Sequence, residues 1–398
     1  MERSDQVAIV GGGIGGLTAA LALLRHGIDV TVYEQATELK ELGAGVQISP
    51  NGTKVLYSLG LGPEIENVGV VVAGKEIRLW STGQIWNLFD LGAECVERYG
   101  SPFMMFHRGD LHKVLLDGIR AVRPAAIVLG SKCTGISQGD ETVTISFENG
   151  KTASAPIVIG ADGVQSRVRG TLWGADRPEF TGIVAWRGLI PRDQVPAGVK
   201  MDVGTNWVGP GGHVVQYPVH GGALLNFVGL LERDDWRVES WTMQGSKDEF
   251  ANDFRNWNPK IHECIRVVDT PFKWALFARP PMETWVNGRV ALLGDACHSM
   301  LPMLAQGAVM ALEDGVVLAR CLKQYGIGTD ALHAYEKARM ARANRTVERS
   351  AENGRRFHNP ELASAAGAEA YVTREWEPDK VRARYDWLFT YDATSVAI

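Results

Sequence analysis

The chain has 398 residues, 45% hydrophobic and 22% charged, enough for one large or two ordinary domains with a sizeable core. Its 41 Lys and Arg against 46 Asp and Glu leave a formal charge of −5, so nothing global draws it to nucleic acid or an anionic membrane. Five cysteines (Cys95, Cys133, Cys264, Cys297, Cys321) form no Cys-x-x-Cys pair. With no basic leader in residues 1–6 and no run near the roughly 20 apolar residues of a membrane helix, this pattern points to reduced thiols, a cytoplasmic location and no metal site.

Residues 6–35 read as one strand–helix–strand unit. Val7–Val10 is a short apolar run of the buried parallel type, and Gly11, Gly12, Gly13, Gly15 and Gly16 follow at once. Gly11 allows the tight turn, Gly13 lets a pyrophosphate approach the backbone without meeting a Cβ, and Gly16 lets the helix lie close on its strand. The helix, from about Gly15 to His26, aims free N–H groups and its positive dipole end at the phosphates. A second strand runs from Asp29 to Tyr33. At its end Glu34, followed by Gln35, can accept the hydroxyls of an adenosine ribose. The whole unit reads as a dinucleotide site.

Residues 42–56 form a loop with Gly43, Gly45, Gln47, Pro50 and Asn51 that leads into a helix, and residues 75–90 alternate as a hairpin. A helix starts near Arg108, a position where an arginine is ordinarily solvated. Ile157 to Ile159 is a further buried strand, running into Asp162, Gly163 and a helix with Ser166, Arg167 and Arg169. From Thr181 to about Trp274 the β-like runs Ile183–Leu189, His213–Tyr217 and Leu224–Leu231 predict a separate antiparallel sheet whose apolar wall could hold a substrate. The parallel pattern returns at Val290–Leu293. It ends on Asp295, placed for a ribose or ribityl hydroxyl, and Gly307 and Ala308 open a long helix whose N-terminus can face a carbonyl or anion.

The expected organisation is therefore α/β: a Rossmann-like cofactor domain (residues 1–175 and 281–360) interrupted by a β-sheet substrate domain (176–280), with a tail (361–398) packed on the body or on a partner chain. The arginine-rich helix over Asp330–His358 reads as a solvated face.

Three motifs in this order, Gly11–Gly16 with Glu34, GADGVQSRVR at residues 160–169 and GRVALLGDACHSMLP at 288–302, together with HRGDLH at 107–112, resemble the flavin-dependent aromatic hydroxylases. The resemblance spans roughly residues 5–350. It implies FAD, with Gly11, Gly13, Gly15, Gly16, Glu34, Gln35 and Gln47 among its contacts, Arg108 at the pyrophosphate and Asp162 near FAD. Asp295 would hold the ribityl chain, and Gly307 and Ala308 would lie near the isoalloxazine. NADH or NADPH reduces the flavin in this family without a Rossmann domain of its own, and a homodimer is possible.

The implied reaction uses O2 through a flavin C4a-hydroperoxide, which requires a dry pocket. Ring attack is faster from a phenolate, so a base near the phenol is required. His213 and Tyr217, four apart on one strand, face the same side, and in the hydroxybenzoate and hydroxynicotinate relatives such a pair contacts the phenolic oxygen. Taken alone, a histidine on a strand reads as a satisfied core residue; with the resemblance, His213 and Tyr217 are the candidate catalytic pair for a small phenolic acid of hydroxybenzoate or salicylate type. Gln47 stands where hydroxynicotinate relatives carry a loop histidine, which counts against a pyridine substrate. The apolar run Leu301–Leu304 offers no carboxylate anchor. The alternatives are another FAD oxidoreductase of the same fold or a non-catalytic FAD redox sensor. A halogenase fits poorly, because the segment from Trp186 to Pro191 has one of the two tryptophans of its motif.

Overall fold

The computed structural model describes residues 7–39, 44–174, 178–236 and 243–398. Val7–Val10 is buried along its whole length because it is central. It pairs in parallel with Val30–Tyr33 on one side and Ile157–Gly160 on the other. The six-stranded sheet runs Val286–Asn287, Val290–Leu292, Ile157–Gly160, Val7–Val10, Val30–Tyr33, Ile127–Val128. Strands from the start of the described chain and from residues 286–292 thus share one sheet.

The helices Ile14–Arg25 and Gly307–Tyr325 cross closely on this sheet because both carry glycine at the crossing. A Cβ on Gly15 would lie 2.7 Å from Leu293 Cδ2 and 3.1 Å from Ala311 Cβ; one on Gly315 would lie 2.7 Å from the Ala19 nitrogen. The missing side chain of Gly15 therefore serves helix packing. Gly16 does what its place in the motif predicts, since a Cβ there would run into the Gly11 carbonyl.

The second sheet has seven strands in the order Phe272–Ala278, Glu179–Pro191, Leu224–Glu232, Gly212–Val219, Val203–Gly209, Gly74–Leu79, Ile85–Asp90. Two expectations change here. The sheet is mixed, because Val203–Gly209 runs parallel to Gly74–Leu79. The 75–90 hairpin, counted with the cofactor half, belongs to this sheet: its alternating Ile77 and Leu79 are buried with Val208. The helices Lys247–Asp253 and Pro259–Val267 close one face over Trp186, Trp207, Val214 and Phe227. Since side chains alternate, His213, Val215 and Tyr217 occupy the other face.

The helix Thr329–Phe357 also departs from expectation. Its arginines are not all solvated: Arg339 is fully buried, 2.6 Å from Glu313 and 2.8 Å from Asp314, and Arg342 lies 2.8 Å from Glu313. A charge pattern cannot tell a wet stripe from one matched by acids on a neighbouring helix. The tail packs on this same chain, with the Phe389 ring against Tyr99 and Phe103 at 5.3 and 5.9 Å. All five cysteines are buried free thiols. Among the described residues no helix is long and apolar enough to cross a membrane, and no group of three His, Cys, Asp or Glu side chains could hold a metal ion.

Candidate active site

A cleft of about 580 Å³ opens where the parallel strands end, lined by Gly11, Gly12, Gly13, Glu34, Gln35, Arg108 and Asp162 among others. Gly11 takes φ +109°, a conformation that disfavours any side chain, and a Cβ there would strike the Ala161 carbonyl. Gly13 begins the Ile14–Arg25 helix with no side-chain cap, and a Cβ on it would meet nothing within 4 Å. The helix amides therefore face open space, as an anion site requires. Glu34 accepts hydrogen bonds from the Gly12 and Ala36 amides at 2.6 and 2.8 Å, which fixes the glycine turn and leaves carboxylate lone pairs at the cleft.

Arg108 opens the helix Arg108–Val122, and four residues on His112 donates from Nε2 to the Gly12 carbonyl at 2.7 Å. His112 was not singled out in the sequence; its spacing from Arg108, one helical turn, was the available signal. Asp162 lines the cleft, but its carboxylate caps its own helix, accepting from Ser166 Oγ at 2.5 Å and from the Arg167 and Val168 amides at 2.7 and 3.1 Å. Burial raises its pKa while these bonds pull the other way. An adenosine diphosphate fits this lining: amides for the pyrophosphate, an acid for the ribose, and a glycine turn with room above it.

The second part of the site is the open face of the mixed sheet. His213 and Tyr217 lie on Gly212–Val219, 2% and 5% exposed. His213 Nδ1 is 2.7 Å from His358 Nε2, and His358 Nδ1 is 3.0 Å from a Glu232 oxygen whose side chain is 58% exposed. Burial, then His358 and Lys75, hold the His213 pKa well below the ordinary 6.5, so its imidazole is neutral. Tyr217 is also kept in its neutral form, burial pushing its pKa up against an opposing hydrogen bond from Gln47. Gln47 in turn accepts from Lys75 Nζ at 3.1 Å. Gln47, expected at the cofactor, thus joins the sheet face, because its strand Gly45–Ile48 lies across that face: a Cβ on Gly45 would sit 2.7 Å from the Tyr217 hydroxyl.

The starts of two helices, Pro50–Ser58 and Gly307–Tyr325, are locked together. Gln306 Nε2 donates to Ser49 Oγ at 2.9 Å, and Asn51 Nδ2 donates to Gln306 Oε1 at 3.1 Å and to Glu313 at 2.7 Å. Beside this lock Ala305 takes φ +54°, a left-handed conformation costing a non-glycine residue about 1–2 kcal/mol. Asp295 and Gly307 come together, a Cβ on Gly307 lying 3.9 Å from Asp295 Oδ1, and half-buried Ala308 follows. Met303 and Leu301 pack against Ala185, Leu230 and Trp274 of the sheet, so the wall expected to be apolar is apolar. Lys75, Asn226, Glu232, Gln306 and His358 were not singled out; each acquires its place through a partner distant in the chain.

A βαβ cleft suited to a dinucleotide beside a sheet with a buried histidine and tyrosine is the architecture of a flavin-dependent oxygenase, and the comparisons with known proteins show that class. The chain belongs to the family described as FAD binding domain, which matches residues 4–350, and within it to the flavin-dependent aromatic hydroxylases. It is similar to 3-amino-4-hydroxybenzoate 2-monooxygenase of Streptomyces platensis, 37% identical over 393 residues that cover 98% of this chain and 97% of that one. It is also similar to 6-hydroxynicotinate 3-monooxygenase of Pseudomonas fluorescens, 36% identical over 357 residues covering 89% and 92% of the two chains. Among solved structures, Klebsiella pneumoniae HpxO complexed with FAD and uric acid superposes with a TM-score of 0.81 at 30% identity, covering 94% of this chain and 96% of that one.

Proposed function

We propose that this FAD-dependent monooxygenase uses NAD(P)H and O2 to hydroxylate a small aromatic acid bearing a ring hydroxyl, with His213 as the base for that hydroxyl and Tyr217 as a hydrogen-bond donor to the substrate. The observation that carries this reading is the state of His213. It is buried and bonded through Nδ1 to His358, while among the described residues nothing bonds its Nε2, and burial holds its pKa well below the ordinary value. The relatives named above act on an aminohydroxybenzoate and a hydroxynicotinate, each a ring with a hydroxyl and a carboxylate.

FAD, when bound and reduced by NAD(P)H, would supply the electrons that turn O2 into the electrophilic oxygen donor. The chain supplies the rest. Gly11–Gly13, Glu34 and Arg108 hold the dinucleotide, with Asp295, Gly307 and Ala308 toward its flavin end. Met303, Leu301 and Trp274 keep the sheet face dry, which strengthens every electrostatic interaction within it.

A substrate phenol passes its proton to His213 Nε2 and becomes a better ring nucleophile. Because burial disfavours imidazolium here, the proton on Nδ1 moves to His358 Nε2, and the one on His358 Nδ1 to Glu232 at the surface. The division into a cofactor body and an inserted substrate sheet belongs to the same reading.

The test is NADH and NADPH oxidation by the FAD-loaded protein, with product analysis, across salicylate, 3- and 4-hydroxybenzoate, 6-hydroxynicotinate and simple phenols. Stimulated oxidation with a hydroxylated product supports the reading. Retained FAD with no stimulation by any of them returns the redox-sensor alternative.

A further inference from the structure

Lys75 is a half-buried cation on the substrate side of the mixed sheet, and among the described residues its surroundings supply no anion. Its ammonium donates to Gln47 Oε1 and lies 5.9 Å from the Phe103 ring centroid. Among the described residues no carboxylate comes within ion-pair distance of it. The neighbouring acid, Glu76, points to the opposite face and is already held by Arg78 and Lys200 at 2.7 Å and by Thr205 at 3.0 Å. Burial alone draws the Lys75 pKa down to about 8, as for a charge desolvated without compensation.

Two further donors converge there. Asn226 is 1% exposed; its Oδ1 accepts from the Gly45 amide at 2.8 Å, and its Nδ2 is buried with no partner among the described residues. A buried amide group left without a bond is uncommon and costly. Tyr217 stands opposite Asn226 in the strand register. Its oxygen receives the Gln47 amide, which leaves the phenolic proton for another acceptor. Gly204, paired with Lys75, has no side chain, and a Cβ there would be 3.2 Å from Met105 Cε and 3.6 Å from Lys75 Cγ, so the Met105 methyl and the lysine stem share the space over the glycine. His213 lies four residues from Tyr217 on the same strand, about 13 Å along it.

We infer that Lys75, with Asn226 Nδ2 and the Tyr217 hydroxyl, forms the anchor for the substrate's carboxylate, placing the acid at one end of the sheet face and the ring hydroxyl toward His213. This rests on the function proposed above and names the group that selects the substrate class. A carboxylate takes two or three hydrogen bonds from such a set, and the lysine gains the counter-charge it lacks. The apolar Leu301–Leu304 wall opposite then needs no polar residue of its own.

The experiment compares wild type, Lys75→Met and Lys75→Arg as FAD-loaded proteins, with two readouts. The first is binding of benzoate, which has no hydroxyl to react, followed by the flavin absorbance change. The second is turnover of 3- and 4-hydroxybenzoate against the matching hydroxybenzamides.

The anchor predicts that Lys75→Met weakens benzoate binding and raises KM for the acids on the order of 10- to 100-fold, with the amides little changed and Lys75→Arg keeping part of the affinity. Equal losses for acid and amide, or unchanged benzoate binding in Lys75→Met with FAD retained, overturns it. If Lys75→Met does not retain FAD, the comparison falls to Lys75→Arg, where acid and amide affinities moving together overturns the anchor. A wild type that binds benzoate but hydroxylates no phenol refutes the proposed function and leaves the anchor standing; one that hydroxylates amides as readily as acids, with Lys75→Met indifferent, refutes the anchor alone.

Discussion

His213 Nδ1 lies 2.7 Å from His358 Nε2, so a strand of the substrate sheet and the C-terminal end of the helix Thr329–Phe357 meet at the proposed base. Glu232 completes the path to solvent at 3.0 Å. His358 acts through His213 and touches no substrate, so it is a positioning and relay residue. His358→Phe is expected to lower kcat less than His213→Ala, which should cost on the order of 10²–10⁴-fold. A purely structural role for His358 moves neither the solvent isotope effect nor the response to added imidazole. The relay predicts a larger isotope effect on kcat in His358→Phe and partial rescue by imidazole.

The pH dependence follows from two depressed pKa values. His213 must be neutral to accept a proton, and its pKa is well below 6.5. Activity should therefore fall only as pH drops below the ordinary histidine range. Lys75 must be charged to hold an anion, and its pKa in the free protein is about 8. Tyr217 stays protonated and His213 and His358 stay neutral through that range, so kcat/KM for a carboxylate substrate should decline as pH rises through about 8. Lys75→Arg should move that limb upward, because the guanidinium does not titrate there.

Much of this was legible in the chain, and what was not has a common cause. The glycine turn, its helix and Glu34 are set within 30 consecutive residues, so their geometry is local. His213 and Tyr217 share a face by strand period alone. Lys75 had no such signal: its importance comes from Gln47 on another strand, from Gly204 across the sheet, and from an acid next to it that turns away. His358 lies 145 residues from the ring it contacts. Arg339 followed a solvated-helix pattern until Glu313 and Asp314 were brought against it. Gly15 sits in the phosphate motif, and its packing against Ala311 of the helix Gly307–Tyr325 carried no sequence signal.

Cofactor retention should depend on the glycine turn and its acid separately. Glu34→Ala removes the acceptor for two backbone amides as well as the ribose contact. A hydrogen bond to a charged group contributes about 1.5–3 kcal/mol, so the FAD dissociation constant should rise roughly 10- to 100-fold, read by recovery of flavin fluorescence on dilution. Gly11→Ala should abolish retention outright, since φ +109° and the Ala161 carbonyl leave no room for a methyl group.

The buried Arg339 couples stability to the site. It is matched by Glu313 and Asp314, and Glu313 also receives Asn51 from the start of the helix Pro50–Ser58, which Gln306 locks. Asp314 is in turn bonded to His298 at 2.5 Å. Arg339→Leu would leave two buried carboxylates short of a counter-charge, at a cost of about 3–5 kcal/mol. Urea unfolding should show that loss, whereas Arg349→Ala, at an exposed pair with Glu352, should change stability by less than about 1 kcal/mol.

The most direct test of the central claim is turnover of a hydroxybenzoate under isotopically labelled dioxygen, comparing the FAD-loaded wild type with His213→Ala and measuring label in the product against hydrogen peroxide released. The account predicts one labelled oxygen in the ring product of the wild type. It predicts that His213→Ala still oxidises NAD(P)H but releases mainly peroxide. Equal labelled product from His213→Ala would contradict the assignment of the base, and NAD(P)H oxidation by wild type that yields peroxide alone with every phenolic acid would contradict the monooxygenase itself.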